Sequence, residues 1–352
     1  METVDQVKPQ FEGVNTPPKF SVRTKLILSS IIGTALFAVL LWYFGLEKLL
    51  TSIQNVSPYW LGISAIMSIM FYLLRAIRWK ILLFPVKNSV NCVNTFWITI
   101  LGYFVNTLIP VRLGEFLRAF LLKGKEDIGF FEGFSSIVVE RVLDLLGVVG
   151  IGVIALYLLP LGTVFPPWFT QSLKIVGGIV FIAIICLIIG TKKEDSMLHF
   201  TQRILTAVKL SQRWRERITN LVKSLIDGAK GVSQRPLLLI IILVLTVGIW
   251  LIQFLVVLFL FEASKYHVPL SILLLGTMII QLSYIFPAAP GFVGSYEAFW
   301  LIVFVGLGLS QDLIFPISFI GHIIHLVVIT ALGCAGTIWM GVSFRELFKI
   351  RR

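Results

Sequence analysis

Charge is what this sequence has least of. Only 14% of its 352 residues are Asp, Glu, Lys or Arg, against about a quarter in a soluble domain. With 57% apolar residues and a mean hydropathy of +0.93, a water-soluble globule is excluded and a chain that crosses a membrane repeatedly is expected. Cysteine is scarce too. Cys92, Cys186 and Cys334 lie far apart, in or beside apolar segments, so neither a disulfide framework nor a metal site follows from them. No Walker loop, kinase signature, HExxH pair or nucleophile elbow occurs. The longest polar stretch, residues 191–235, is too short for a catalytic domain. An enzyme is therefore not expected, nor is a cofactor. The amino terminus lacks a short apolar core followed by a small-residue cleavage site, so the first apolar run, Leu26–Phe44, reads as a retained span.

Acidic residues are the scarcer sign, 18 against 30 Lys and Arg, for a net charge of +12. A nucleic-acid partner does not follow, because the basic residues fall in loops between apolar spans, as membrane topology requires. Residues 1–25 read as a disordered cytoplasmic tail. Full spans are expected at Leu26–Phe44, Pro58–Leu74, Gly133–Leu159, Ile175–Gly190, Leu237–Phe261 and Ile314–Trp339. Arg75, Arg78 and Lys80 would end the second span in the cytoplasm. The basic segment 191–235 repeats apolar residues at Ile204, Leu205, Val208, Ile218, Leu221, Val222 and Leu225, a helical spacing. It is expected to lie on the anionic cytoplasmic leaflet. Residues 343–352 form a basic cytoplasmic tail after a transmembrane domain over 26–342.

Two apolar segments are interrupted. Asn94–Pro110 breaks at Pro110, with Arg112, Gly114, Glu115 and Arg118 following where hydrocarbon would continue. Leu270–Phe286 breaks at Pro287-Ala-Ala-Pro-Gly291 and resumes over Gly294–Gly308, with Glu297 inside it. Proline removes a backbone donor and glycine loosens the chain, so neither helix continues unbroken. At bilayer depth such breaks persist only against protein or a wet cavity. If both were full crossings, Arg118, Lys123, Lys125 and the basic segment 191–235 would lie outside. Hairpins that enter and leave on one side return nearly all the basic residues to the cytoplasm, leaving Lys48, Lys174 and Lys265 outside and Arg112 and Arg141 at membrane depth. The expected fold is an all-α polytopic membrane protein of about six full transmembrane helices. Two oppositely oriented re-entrant hairpins complete it, related as a pseudo-inverted repeat.

The restarted helices, after Gly114 and after Gly291, would offer free N–H groups and positive dipole ends to a phosphate. Arg112 and Arg118 would add charge, and Asn106 would satisfy freed carbonyls or a head group. An ion pair of Arg112 with Glu115 or Glu140 is the competing reading. Glu140, Arg141 and Asp144 share one helical face, roughly 12 Å into the membrane from Glu132 at helical rise. They read as a proton- or cation-linked relay, as a counter-charge to Arg112, or as a buried salt bridge. Glu297 has no nearby partner in sequence and would titrate, or pair with Arg112 or Arg141. His322 and His325, three apart, fit packing or a helix–helix hydrogen bond better than a metal.

These residues carry a resemblance. The run Asn106-x-x-x-Pro110-x-Arg112-x-Gly114-Glu115, the Glu140-Arg141-x-x-Asp144 cluster and Pro287-x-x-Pro290-Gly291-x-x-Gly294-x-x-Glu297 resemble the lysylphosphatidylglycerol synthase transmembrane-region family, also called flippase-like domains. The likeness runs over about residues 20–342. It implies a domain that moves lipids between leaflets, as aminoacylated phosphatidylglycerol in the bacterial multiple peptide resistance factor, or lipids of glycosylation and isoprenoid pathways. It also implies a substrate site at Asn106, Pro110, Arg112, Gly114, Glu115, Arg118, Glu140, Arg141, Asp144, Pro287, Pro290, Gly291 and Glu297, beside Gly294. The resistance factor's aminoacyl-transferase domain has no counterpart before Arg352, so synthesis of the lipid is not expected. The expected function is transport of an anionic phospholipid or polyprenyl-phosphate lipid in the plasma membrane, both termini cytoplasmic. The alternative is a non-transporting partner of a lipid-modifying enzyme or glycosyltransferase. A second copy of the chain is a further candidate partner.

Overall fold

The computed structural model describes residues 22–109, 113–159, 194–207, 235–284 and 289–342, with isolated positions at 167, 171, 175, 178, 212, 215, 216, 218, 219, 222, 223 and 226. Pro110, Val111, Arg112, Pro287 and both tails beyond these bounds lie outside them, as do the expected span 175–190 apart from Ile175 and Gly178 and much of 191–235. Regular structure among the described residues is helical. The helices are α1 (Val22–Phe44), α2 (Leu46–Gln54), α3 (Pro58–Leu83), α4 (Cys92–Leu108), α5 (Gly114–Glu126), α6 (Phe130–Tyr157), α7 (Glu194–Ala207), α8 (Pro236–Ala263), α9 (Leu270–Ser283), α10 (Ser295–Gly306) and α11 (Gln311–Met340). Three of them, α3, α8 and α11, are long and apolar enough to cross a membrane. α1 begins at Val22, inside the expected tail.

Local chemistry sets the ends. Pro58 and Pro236 open α3 and α8, where the missing N–H costs nothing. Asn91 caps α4 by accepting from the N–H groups of Val93 at 2.7 Å and Asn94 at 3.3 Å. α4 stops where Ile109, the residue before Pro110, turns extended at φ −121°, ψ 120°. Gly341 ends α11 in the left-handed region at φ 63°.

Both interrupted segments fold back as antiparallel helix pairs. Asn106 meets Gly114 while Gly102 meets Arg118, so α4 and α5 run in opposite directions. Tyr284 meets Tyr296 while Gly276 meets Phe304, and α9 and α10 do the same. Glycine makes the first pair possible, since a Cβ on Gly114 would collide with the carbonyl of Gly102. The second break holds a 3₁₀ turn, Pro290–Phe292, with Gly291 at φ 65°, Phe292 at φ 57° and Gly294 at φ 75°. The helix resumes at Ser295, with Gly294 at its N-cap.

Each hairpin anchors its own apolar core. Trp79, Leu83, Ile98, Leu101, Leu117, Leu122 and Ile137 bury the first against α3 and α6. Phe261, Leu273, Leu275, Trp300, Phe304 and Ile314 bury the second against α8 and α11. α3 and α8 pack along their length, with Trp60 stacked on Phe259 at 5.4 Å and Ser64 Oγ donating to Val256 O at 3.0 Å. Between the two cores lies a cavity.

Candidate functional site

The first wall of that cavity is ionic. Asp144 on α6 receives Arg78 Nη2 at 2.6 Å and Arg75 Nη1 at 2.8 Å, both from α3, and Arg141 Nη1 at 3.3 Å. Glu140, one turn away, receives Arg118 Nη2 of α5 at 2.6 Å, with Arg75 at 3.4 Å and Arg78 at 3.6 Å. Arg141 Nη2 reaches Glu115 Oε1 at 3.3 Å. Arg75 also donates to the Tyr103 hydroxyl at 2.7 Å and sits among the rings of Phe71, Trp250 and Tyr103, 4.7–5.5 Å from their centroids. Arg118 lies 4.1 Å over Trp79.

Two corrections follow. Arg75 and Arg78 do not end a span in the cytoplasm: α3 continues to Leu83, and both are buried, at 3% and 0% exposure. Arg118, expected on the cytoplasmic side, is buried as well. The sequence carried the signal, for the apolar run resumes after Arg78 with Trp79, Ile81, Leu82 and Leu83. For Glu140 and Asp144 the expectations are a relay, a counter-charge to Arg112 or a buried salt bridge. Both are enclosed by guanidiniums, which fits the salt-bridge reading.

The helix ends are not open cups either. Asn106 Oδ1 accepts from the Gly114 N–H at 2.7 Å, and its Nδ2 donates to Glu115 Oε2 at 3.1 Å. Asn106 thus serves a freed N–H, where freed carbonyls or a head group were expected. Glu115 in the first turn already answers the dipole of α5. At the second break Glu297 does not pair with Arg141, and Arg112, the other expected partner, lies outside the described residues. Glu297 Oε1 lies 2.6 Å from His322 Nδ1, and His322 Nε2 donates to the Gly291 carbonyl at 2.6 Å. Pro290 opens the 3₁₀ turn, and Gly294 abuts the backbone of α1 at Gly33 and Phe37, where a side chain would not fit. Among the described residues no group of three His, Cys, Asp or Glu is arranged for a metal.

The cavity measures about 410 Å³. Arg75, Tyr103, Asn106, Glu115, Arg141 and Asp144 face it from one side, and Tyr284, Tyr296, Trp300 and His325 from the other, with Gln253 and Gln281 alongside. Arg118, Glu140, Glu297 and Gly291 stand behind these residues. Among the described residues four guanidiniums of the ionic wall meet three carboxylates, Glu115, Glu140 and Asp144, so these residues carry one surplus positive charge. The Nε groups of Arg75 and Arg141 are buried without a partner.

Residues 28–333 match the model of the lysylphosphatidylglycerol synthase TM region. The chain belongs to that family. A UPF0104 membrane protein of Methanothermobacter thermautotrophicus is 26% identical over 89% of this chain and 92% of its own length. Another, from Methanocaldococcus jannaschii, is 32% identical, but the match spans only 34% of this chain and 37% of that relative. The glycosyltransferase AglD of Haloferax volcanii is 23% identical over 40% of this chain and 22% of its own length. No solved structure matches. The family member is thus a multi-pass membrane protein.

Proposed function

We propose that this protein moves an anionic phospholipid or polyprenyl-phosphate lipid between leaflets, the head group passing through the cavity between the two hairpins. The observation that carries this reading is the uncancelled positive charge of the ionic wall. A net charge at bilayer depth costs about 2.5–3.5 kcal/mol on insertion scales, and a phosphate monoanion beside Arg141 and Arg75 cancels it. Arg141, with its side chain 31% exposed, is the guanidinium free to rotate onto the ligand. A cavity of about 410 Å³ suits a head group, with acyl or prenyl chains remaining in the bilayer.

In this reading the hairpins are re-entrant and enter from opposite leaflets. Their arms hold 17, 13, 14 and 12 residues, so none exceeds about 26 Å at 1.5 Å per residue, less than the roughly 30 Å hydrocarbon core. The protein resides in the plasma membrane with cytoplasmic termini, and the segment 191–235 rests on the anionic leaflet. Arg112 and Pro110 belong to the same site through their position between Ile109 and Leu113, and Pro287 to the second break.

The test is leaflet exchange of fluorescent phosphatidylglycerol and of a polyprenyl phosphate in proteoliposomes. Exchange above protein-free vesicles is expected, and Arg141→Gln should lower it at least tenfold, since a charged hydrogen bond contributes about 1.5–3 kcal/mol. No stimulation with either lipid would sink the proposal. The similarity to AglD favours a second reading, a membrane partner of a glycosyltransferase. Stoichiometric co-purification of such an enzyme, with full function retained by Arg141→Gln, would select it.

A further inference from the structure

The second break contains a buried acid–base pair that the lipid site does not use. Glu297 and His322 are 1% and 4% exposed, and no arginine or lysine pairs with Glu297 among the described residues. The proton inventory follows from the geometry. A carbonyl cannot donate, so His322 Nε2 carries a hydrogen toward the Gly291 oxygen. Across the 2.6 Å contact of Nδ1 with Glu297 Oε1 a single proton must sit, on nitrogen or on oxygen. Either way the pair is neutral. Glu297 Oε2 is buried and has no partner, so one acceptor is open for a second proton.

The surroundings connect the pair to the cavity through the His322 ring. Tyr296 stacks on the His322 ring at 4.5 Å and itself lines the cavity. The other titratable neighbours are Tyr284 at the end of α9, within electrostatic reach of Glu297, and His325 on α11, within reach of His322. Both face the cavity. α1, α4 and α8, packed against the same elements, bring no ion pair to the dyad among the described residues. A second proton would leave a buried net charge of +1, unfavourable by itself in a low-dielectric interior. Together with the surplus charge of the ionic wall that proton would make +2 around the cavity, and a monoanionic head group brings the sum back to +1, the value of the empty site. The bound anion thus lowers the cost of the proton, and the proton in turn favours the anion. The coupling is reciprocal by thermodynamic linkage.

We propose that Glu297 and His322 form a proton-binding site that takes up one proton with each anionic lipid, making transport an electroneutral proton–lipid symport. The proposal rests on the lipid-transport reading above. Because the dyad bonds the Gly291 carbonyl, its protonation also bears on the segment that joins the two arms of the hairpin.

The test uses the full chain in proteoliposomes with a fluorescent phosphodiester lipid, whose single charge does not titrate near neutrality. One-for-one coupling requires a steady-state leaflet ratio of about tenfold per imposed pH unit, the lipid gathering on the alkaline side. The wild-type protein should reach that ratio at zero membrane potential, and Glu297→Gln should bring it to one. Exchange that occurs with a ratio of one in the wild-type protein overturns the symport but leaves lipid transport standing. Absence of any exchange removes both. A second measurement covers the case in which Glu297→Gln fails to fold. Adding the same lipid to wild-type protein in weak buffer should take up about one proton per lipid bound, read by a pH dye, and no uptake overturns the proposal.

Discussion

At Glu140 every oxygen is spoken for: Oε2 by Arg118 at 2.6 Å, Oε1 by Arg75 and Arg78 at 3.4 and 3.6 Å. Removing one partner of a buried pair leaves the other charged and dry, which costs about 3–5 kcal/mol. Glu140→Gln and Arg118→Ala are therefore expected to lose stability of that size in equilibrium unfolding in detergent. Arg141→Gln belongs to a different class, because its side chain already meets the cavity. It should unfold within about 1 kcal/mol of the wild type, as partly solvated pairs do, while lipid exchange falls. Equal losses of stability for Arg141→Gln and Glu140→Gln would contradict the division of the cluster into a locked rear and a working front. The contrast was half legible in the sequence. Spacing put Glu140, Arg141 and Asp144 on one helical face, but their counter-ions come from α3 and α5, tens of residues earlier, and no local pattern could pair them.

Each hairpin depends on a glycine facing its partner helix. Gly114→Ala would drive a Cβ into the Gly102 carbonyl and against the Asn106 side chain that caps α5. Clear destabilisation and loss of exchange are expected. Gly124, later in the same helix, has nothing within 4 Å of an added Cβ and is exposed. Gly124→Ala should raise stability by up to about 1 kcal/mol, the helix-propensity difference. Thermal denaturation of the two variants side by side separates close packing from propensity. The breaks themselves were readable, because Pro110 forces Ile109 extended whatever surrounds it. The fates of the new helix ends were not. Asn106 and His322 reach across from neighbouring helices to occupy what chain order alone leaves free.

At the scale of the molecule, the re-entrant reading fixes which side each loop faces. In a background with the native cysteines replaced, Lys125→Cys should be labelled by an impermeant thiol reagent only after permeabilisation. Lys265→Cys, in the short loop between α8 and α9, should be labelled in intact cells. Both positions are exposed in the fold. Labelling of Lys125→Cys from outside would put the open end of the antiparallel α4–α5 pair on the outer face, and the opposed-hairpin arrangement would fall.

Composition and periodicity by themselves determined that this chain is helical and membrane-embedded, where its long helices lie, and where two of its apolar segments break. Its motifs, Asn106 to Glu115, Glu140 to Asp144 and Pro287 to Glu297, carried the resemblance to its family. These are properties of local runs: hydropathy, proline and glycine act within a turn or two of where they stand. Only the tertiary structure decided that Arg75, Arg78 and Arg118 turn inward, that one positive charge remains uncancelled beside a cavity, and that Glu297 answers to a histidine. Buried charges choose partners by distance in space, and in this fold those partners come from separate helices.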